Sequence, residues 1–359
     1  MSRFRRPLFA VLALVLIVTL AAGCAQKPQA APAAPKMKVG IVFDISGRGD
    51  LSFNDSAYAG LVRASVEFGD EINSTYLEPT AGGENREELL RLLAEDGYGL
   101  IIGVGFMFTD HIIKVSQEFP DVKFGLVDGF IDKLTETSNV ACLLFPEQEG
   151  SFLVGAAAGL KTKTNKVGFV GGMKVPLIER FEAGFHAGVK YVNPNATVII
   201  DYIGTTGEAF KDPIKGRELA LAQFNKGCDI VYHASGASGI GVIQAAAEKK
   251  KFAIGVDSDQ GLTAKDEEKP YVLTSMMKRV DNAVYETIKA FVNSEFKGGY
   301  QVFDVAHGGL DYAQNKYNEA LLADIKATLD GLKAKIVSGE IKVPGSNAEL
   351  TAFLSALPK

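Results

Sequence analysis

Short apolar runs alternate with segments of helical spacing along most of this chain of 359 residues, and the alternation occurs twice. The first set of runs lies between residues 38 and 145 and reads KVGIVFD, STYLEP, GLIIGVG, VKFGLVD and NVACLLF. These runs have the length and β-branched composition of buried strands, and amphipathic segments such as residues 52–69 separate most of them. Strand–helix alternation predicts a parallel sheet with helices on both faces.

A second set begins with an apolar helix of small residues at 147–161. Its strands are predicted at KVGFVGG, TVIIDYIG, CDIVYHASG, FAIGVDSD and YVLTSMM, and a last helix is predicted at residues 320–339. Two sets of about five units predict an α/β fold with two doubly wound parallel-sheet lobes. Such sheets bind ligands at the carboxyl ends of their strands, so we expect a site in the cleft between the lobes.

The first 36 residues are typical of an export signal and a tether. Three arginines, an apolar run and the small residues Ala-Ala-Gly precede Cys24, which resembles a lipoprotein signal peptide over residues 1–23. The Ala/Pro-rich segment 24–36 predicts an extended tether. We therefore expect a lipid on Cys24 and a protein anchored in the cell membrane on its extracytoplasmic side. A plain secreted protein and an uncleaved anchor are the alternatives.

Composition and charge exclude several classes of function. Without residues 1–23 the chain has 35 basic and 43 acidic residues, a net charge of −8, so general nucleic-acid binding is not expected. The glycine motifs of nucleotide-binding proteins are incomplete, and the four histidines lack metal-ligand spacing. Cys142 and Cys228 lie in apolar contexts, which predicts two buried core residues, and a disulfide between them is the alternative. The sequence predicts no enzyme, no cofactor and no metal.

Charged side chains follow several predicted strands. Asp44, Asp128 and Asp257 end the runs GIVFD, FGLVD and AIGVD, and Lys278 ends LTSMMK. One such aspartate alone is typical of a helix N-cap or a turn, and a strand-end lysine is often simply exposed. Three aspartates drawn from both lobes favour a ligand site, where carboxylates would accept hydrogen bonds from hydroxyl groups such as those of a sugar.

Two phenylalanines lie in polar loops, away from any apolar stripe. Phe53 in GDLSFND and Phe210 in TTGEAFKDP each precede a predicted helix. Such a side chain either plugs its own lobe or forms a platform for a flat ring. Asn54 could bind the edge of a base or cap the helix. Gly236 in GASGIG would let backbone approach a ligand or close a tight turn.

Eight segments of the chain resemble the basic membrane protein family, lipoprotein substrate-binding subunits of ABC transporters of the kind called purine nucleoside receptor A. The segments are GIVFDISGRGDLSFNDSAYAGL, GVGFMFTDH, FGLVDG, FPEQEGSFLVGAAAG, GFVGGM, FEAGF, GVDSDQ and VLTSMMKRVD. They occur in this order from about residue 38 towards the C-terminus.

This resemblance implies a type I periplasmic-binding-protein fold in which three hinge crossovers join the lobes. It implies an N-terminal lobe from residues 37–145 and about 277–300, and a C-terminal lobe from residues 146–276 and about 301–359. The implied partners are a nucleoside, with purine nucleosides preferred, and the permease and ATPase subunits of an ABC transporter. We expect the protein to be a monomer.

The resemblance also implies roles for the residues selected above. Two phenylalanines would sandwich the base, the asparagine would contact it, and the three aspartates would bind the ribose. The implied ligand-binding residues are Asp44, Phe53, Asn54, Asp128, Phe210, Gly236, Asp257 and Lys278.

Charge selects among the possible ligands. The three aspartates and the lysine carry a formal charge of −2 together, which disfavours a phosphate in a partly desolvated cleft. We therefore predict a neutral nucleoside rather than a nucleotide, with the base undecided. The alternatives are the same fold with a sugar, a signalling molecule or an amino acid derivative, an exported nucleoside hydrolase, and a surface antigen that interacts with a host.

Overall fold

In the computed structural model, which describes residues 37–357, the strands form two sheets of six. The strands are β1 Met37–Val42, β2 Ile72–Leu77, β3 Leu100–Val104, β4 Lys123–Val127, β5 Val140–Leu144, β6 Lys166–Met173, β7 Thr197–Gly204, β8 Ile230–Ala234, β9 Phe252–Asp257, β10 Val272–Lys278, β11 Gly299–Val302 and β12 Leu310–Tyr312. The first sheet has the order β11-β5-β4-β3-β1-β2, and the second has the order β12-β10-β9-β8-β6-β7.

Helices cover these sheets. They are α1 Phe53–Phe68, α2 Arg86–Glu95, α3 Thr109–Glu118, α4 Glu147–Lys161, α5 Pro176–Val192, α6 Pro213–Asn225, α7 Ser238–Lys249, α8 Gln260–Thr263, α9 Val280–Val292, α10 Glu319–Leu322, α11 Lys326–Val337 and α12 Asn347–Ala356. Every pairing in the first sheet is parallel, and in the second sheet only the edge strand β12 runs antiparallel to its neighbour β10. The predicted α/β fold with two doubly wound sheets is confirmed.

Three crossovers connect the two sheets. The chain leaves the first sheet between β5 and α4, returns between β10 and α9, and leaves it again between β11 and β12. The helix α9 packs against α1 of the first sheet. At the crossovers the rings of Phe145 and Phe303 stack with centroids 5.3 Å apart, and the Arg279 amide donates to the Gly309 carbonyl at 2.9 Å. These three segments therefore join the two lobes covalently.

Helix α4 is the apolar, small-residue helix expected at residues 147–161, and it packs on α5 at backbone contact. A methyl group on Gly155 would lie 2.2 Å from the Phe185 carbonyl oxygen, and one on Gly188 would lie 2.1 Å from that of Phe152. Glycines at these positions let the helices approach this closely. This close packing fixes the start of α4, where Glu147 enters the site described below.

The structure differs from the sequence prediction in its C-terminal part. The single helix predicted at 320–339 is two helices, α10 and α11, and α12 follows them. The short strands β11 and β12 were not predicted as strands. Cys142 and Cys228 are buried and free and lie in different lobes.

Other predictions fall on residues that the structure does not describe. The signal peptide, the tether and the lipid on Cys24 all lie outside residues 37–357. Within that range, none of the helices has the length and apolar character needed to span a membrane.

Candidate ligand-binding site

A cavity lies between the two sheets, at the carboxyl ends of their strands. Every ligand-binding residue predicted from the sequence lines this cavity except Asn54. The predicted lipidation residue Cys24 lies outside the described residues. The lining residues are Asp44, Ser46, Phe53, Gly105, Phe106, Asp128, Leu177, Ile178, Phe181, Phe210, Ala234, Ser235, Gly236, Val256, Asp257 and Lys278.

Two of the three aspartates mark the point where a strand ends. Asp128 directly follows β4, and Asp257 is the last residue of β9. Both have a left-handed backbone, with φ of 66° and 63°. Aspartate tolerates this conformation better than most residues because its short polar side chain can bond locally. The left-handed turn stops each strand at the cleft and leaves a carboxylate there.

Lys278 joins the two lobes through a buried ion-pair network. Its Nζ lies 2.6 Å from Oδ2 of Asp128 and 2.9 Å from Oε1 of Glu147. Burial acts to lower the pKa of Lys278, but the carboxylates of Asp128 and Glu147 raise it to about 12. Arg180 contacts the other carboxylate oxygen of Glu147 at 3.1 Å. At neutral pH the lysine is therefore charged and satisfied by protein carboxylates.

Asp44 is paired within its own lobe. Arg86, at the start of α2, places Nη2 3.0 Å from Oδ1 of Asp44. Burial raises the pKa of Asp44, and the Arg86 charge opposes that rise. The second carboxylate oxygen of Asp44 lies next to Gly105, where a side chain would leave no room for it.

Asn54 lies behind the cavity wall. Its side-chain oxygen accepts a hydrogen bond from the Asp44 amide at 3.0 Å. Its nitrogen donates to the Ser46 hydroxyl at 2.8 Å and to the Gly47 carbonyl at 3.0 Å. The amide group is fully used in shaping the loop after β1, so this geometry gives no support to the hypothesis that Asn54 contacts a base.

Aromatic rings form another part of the cavity wall. Phe53 is the first residue of α1, and Phe210 ends the short helical turn Gly207–Phe210 before α6. The rings of Phe106 and Phe210 meet edge to face, with centroids 6.4 Å apart. Gly236 has φ of 55°, and a Cβ there would lie 3.1 Å from the Phe210 carbonyl oxygen. Glycine at this turn therefore lets the loop after β8 pack against the turn that carries Phe210.

Sequence reasoning missed several of these side chains. Phe106 follows β3 in the apolar segment GVGFMFTDH, so the polar-loop criterion that selected Phe53 and Phe210 does not find it. Glu147 is the first residue of α4. Acidic residues are common at helix N-termini, so a glutamate there does not by itself indicate a binding site. Phe181 is a buried residue of α5, so its apolar character is also explained by helix packing and does not single it out as a ligand contact.

Further ions pair with the charged residues of the cavity wall. The three aspartates and Lys278 that line the cavity carry a formal charge of −2, and the wider network that includes Glu147, Arg86 and Arg180 carries −1. Among the described residues that line the cavity, Lys278 is the one with a positive charge, and it already forms ion pairs with Asp128 and Glu147. The described residues that line the cavity therefore offer a phosphate no unpaired cation.

Comparisons with known proteins give one consistent family. The family model described as "ABC transporter substrate-binding protein PnrA-like" (Bmp) matches residues 37–347. The CD4+ T-cell-stimulating antigen of Listeria monocytogenes is 38% identical over 325 residues, which cover 85% of this chain and 87% of that protein. The ABC transporter nucleoside-binding protein BmpA of Lactococcus lactis is 32% identical over 328 residues, covering 86% and 89%. The names lipoprotein and basic membrane protein A also occur among the matching proteins.

A solved structure agrees with this family. The crystal structure of an ABC transporter solute-binding protein from Aeropyrum pernix K1 matches with a TM-score of 0.77 and 30% identity, covering 90% of this chain and 100% of that one. The likeness identifies the two-sheet architecture as the type I periplasmic-binding-protein fold. Because the family model spans nearly all of the described residues, this chain belongs to the Bmp family of PnrA-like ABC transporter substrate-binding proteins.

Proposed function

We propose that this protein captures a nucleoside in the cavity between its sheets and delivers it to an ABC permease. The observation that carries the proposal is the combination of aromatic rings and buried strand-end carboxylates around one cavity. A nucleoside joins a flat base, which stacks on aromatic rings, to a ribose whose hydroxyls donate to carboxylates. Purines offer the larger stacking area, so we propose purine nucleosides as the preferred ligands.

Charge supports a neutral ligand of this kind. The lining lysine is already paired, so a nucleotide phosphate would gain no free cation and would meet three carboxylates. The Lactococcus lactis relative is named a nucleoside-binding protein, which supports the same ligand class.

Binding and transport account for the site without catalysis. Asp44 is engaged by Arg86 and Asp128 by Lys278, which suits carboxylates that hold a ligand rather than activate water. The lipoprotein-like leader supports a role at the outer face of the cell membrane, with Cys24 as the lipid attachment site. The three crossovers support hinge closure of the lobes around the ligand, and the permease would recognise the closed form.

Isothermal titration calorimetry on the full chain in mild detergent tests the proposal. The protein is first unfolded and refolded to remove any ligand it carries, and is then titrated with inosine, guanosine, adenosine, cytidine, ribose and GMP. We expect strong binding of purine nucleosides and none of GMP. Phe210→Ala should abolish most of the heat, whereas Phe130→Ala, which changes an exposed ring outside the cavity, should not.

Each alternative has its own outcome in the same experiment. Binding of ribose or another sugar without any response to nucleosides would contradict the proposal and favour a sugar-binding protein of the same fold. Release of free base from a nucleoside during prolonged incubation would favour a hydrolase. Nucleoside binding that persists in Phe210→Ala would remove this cavity as the site.

A further inference from the structure

Ser52 occupies the N-cap position of α1, but its hydroxyl does not cap the helix. An N-cap serine usually accepts a hydrogen bond from one of the first helical amides. Here the carboxylate of Asp50 takes that role and accepts from the amides of Ser52, Asn54 and Asp55 at 3.0, 2.8 and 3.1 Å. The Ser52 hydroxyl is therefore free to bond elsewhere, although the residue is completely buried.

The Ser52 hydroxyl bonds across the cleft to the other lobe. It donates to Oδ2 of Asp257 at the end of β9. The Ser258 hydroxyl donates in return to the Ser52 carbonyl at 3.2 Å. The side-chain nitrogen of Gln260 donates to the Leu51 carbonyl, also at 3.2 Å. Three hydrogen bonds thus join residues 257–260 to residues 51–52.

Further contacts and a restricted backbone orient both sides of this contact. The side-chain oxygen of Gln260 accepts from the Val256 amide at 3.0 Å and lies 2.8 Å from Nε2 of His233, so its nitrogen points at the first lobe. Leu51 has a left-handed backbone with φ of 54°, which a leucine adopts only where its surroundings require it. Such strain at a loop tip is characteristic of sites that clamp or switch.

We infer that residues 50–52 and 257–260 form an interlobe latch that holds the lobes closed and sets the rate at which ligand leaves. Neither Ser52 nor Gln260 lines the ligand cavity, whereas the adjacent Phe53 and Asp257 both do. Engaging the latch therefore brings an aromatic wall and a carboxylate wall of the cavity together. Ser52 and Gln260 are positioning residues, and their effect on ligand release rests on the proposed function.

Ser52→Ala in the full chain tests the latch through binding kinetics. Loss of a hydrogen bond to a carboxylate should lower the closed fraction and raise the dissociation rate of a purine nucleoside about tenfold or more. The association rate should change little, because encounter precedes closure. Ser56→Ala is the matched control: this buried serine lies one turn along α1, and its hydroxyl accepts from the Asp281 amide within the first lobe.

Hydrogen–deuterium exchange of the ligand-free full chain tests the latch without a ligand. Ser52→Ala should speed exchange in peptides covering residues 256–263 of the other lobe, and Ser56→Ala should not. Ser258→Ala removes the reciprocal bond and should act in the same direction, which keeps the test decisive should Ser52→Ala fold poorly.

The outcomes separate the latch from the proposed function. If the wild-type chain binds no nucleoside, the proposed function fails, and the exchange experiment alone decides whether the latch exists. Equal exchange at 256–263 in the wild type, Ser52→Ala and Ser258→Ala would overturn the latch. With nucleoside binding intact, a dissociation rate in Ser52→Ala equal to that in Ser56→Ala would also overturn it.

Discussion

Replacing Asp257 by asparagine tests how burial of this carboxyl governs the pH dependence of stability. Burial raises its pKa from an ordinary 3.8 to about 7, and the charge of Lys278 and the hydrogen bond from Ser52 only partly oppose the rise. The unfolded chain therefore loses this proton at a lower pH than the folded chain does. Stability linked to the proton is complete below about pH 4 and is lost as the pH rises through about 7.

The size of the effect follows from this difference in pKa. At about 1.4 kcal/mol for each pH unit, a rise from 3.8 to about 7 corresponds to about 4 kcal/mol in the free energy of unfolding. About 2 to 3 kcal/mol of this lies between about pH 5 and pH 8. Asparagine has nearly the same shape and can still accept from Ser52, but it does not titrate. The free energy of unfolding of Asp257→Asn should therefore rise by about 2 to 3 kcal/mol relative to that of the wild type between pH 5 and pH 8.

Denaturant unfolding of the ligand-free chain, followed by circular dichroism because tryptophan is absent, measures this gain. Asp55→Asn is the matched control. Burial acts to raise the pKa of Asp55, but hydrogen bonds from Arg48 and two backbone amides lower it overall. The stability that ionised Asp55 contributes is lost only as the pH falls through that lowered pKa. The Asp55→Asn substitution should therefore change the free energy of unfolding by the same amount at pH 5 and at pH 8. Parallel stability curves for the wild type and Asp257→Asn would refute the reasoning.

Two further substitutions test the aromatic wall and the ion-pair network. Phe106→Ala should weaken nucleoside binding about 10- to 100-fold in calorimetry, the loss expected for one aromatic ring stacked on a base, whereas Phe130→Ala should leave affinity unchanged. Wild-type affinity in Phe106→Ala would show that this ring does not contact the ligand. Lys278→Met should lower the free energy of unfolding by about 3 to 5 kcal/mol, because it leaves two buried carboxylates without their cation. Lys211→Met, which breaks a partly exposed pair, should cost at most about 1 kcal/mol, and equal costs for the two lysines would contradict the assigned network.

Most of the fold could be predicted because its elements carry strong local signals. Helix α5 and strand β7 begin and end where the apolar periodicity places them. The strands β11 and β12 have four and three residues, too few for a periodic pattern, and their neighbours in the sheet come from distant parts of the chain. Helix α12 was predictable: Ser346 caps it by accepting from the Glu349 amide, the serine–glutamate spacing typical of a helix start.

The candidate site was predictable to the extent that strand ends determine it. Asp128, Asp257 and Phe210 follow from the rule that parallel sheets present ligand-binding residues at their carboxyl ends. The pairing of Lys278 with Glu147 did not follow, because the two residues lie 131 positions apart and meet only through the crossovers. The position of Asn54 behind the cavity wall depends on how the loop after β1 folds over it. An asparagine could equally face the cavity or bond to that loop.

The strand order of the first sheet has a consequence for how the chain is synthesised and acquires its structure. Strand β11 pairs with β5, yet five strands of the second sheet lie between them along the chain. Whether the chain emerges from a ribosome or through a membrane pore, β5 stays an open edge, with unpaired backbone groups, until residue 302 has followed. Nascent chains that stop short of β11 are therefore exposed to edge-to-edge aggregation and to chaperone capture. Completion of the first lobe is a late event, and it depends on pairing between distant segments, which is intrinsically slow.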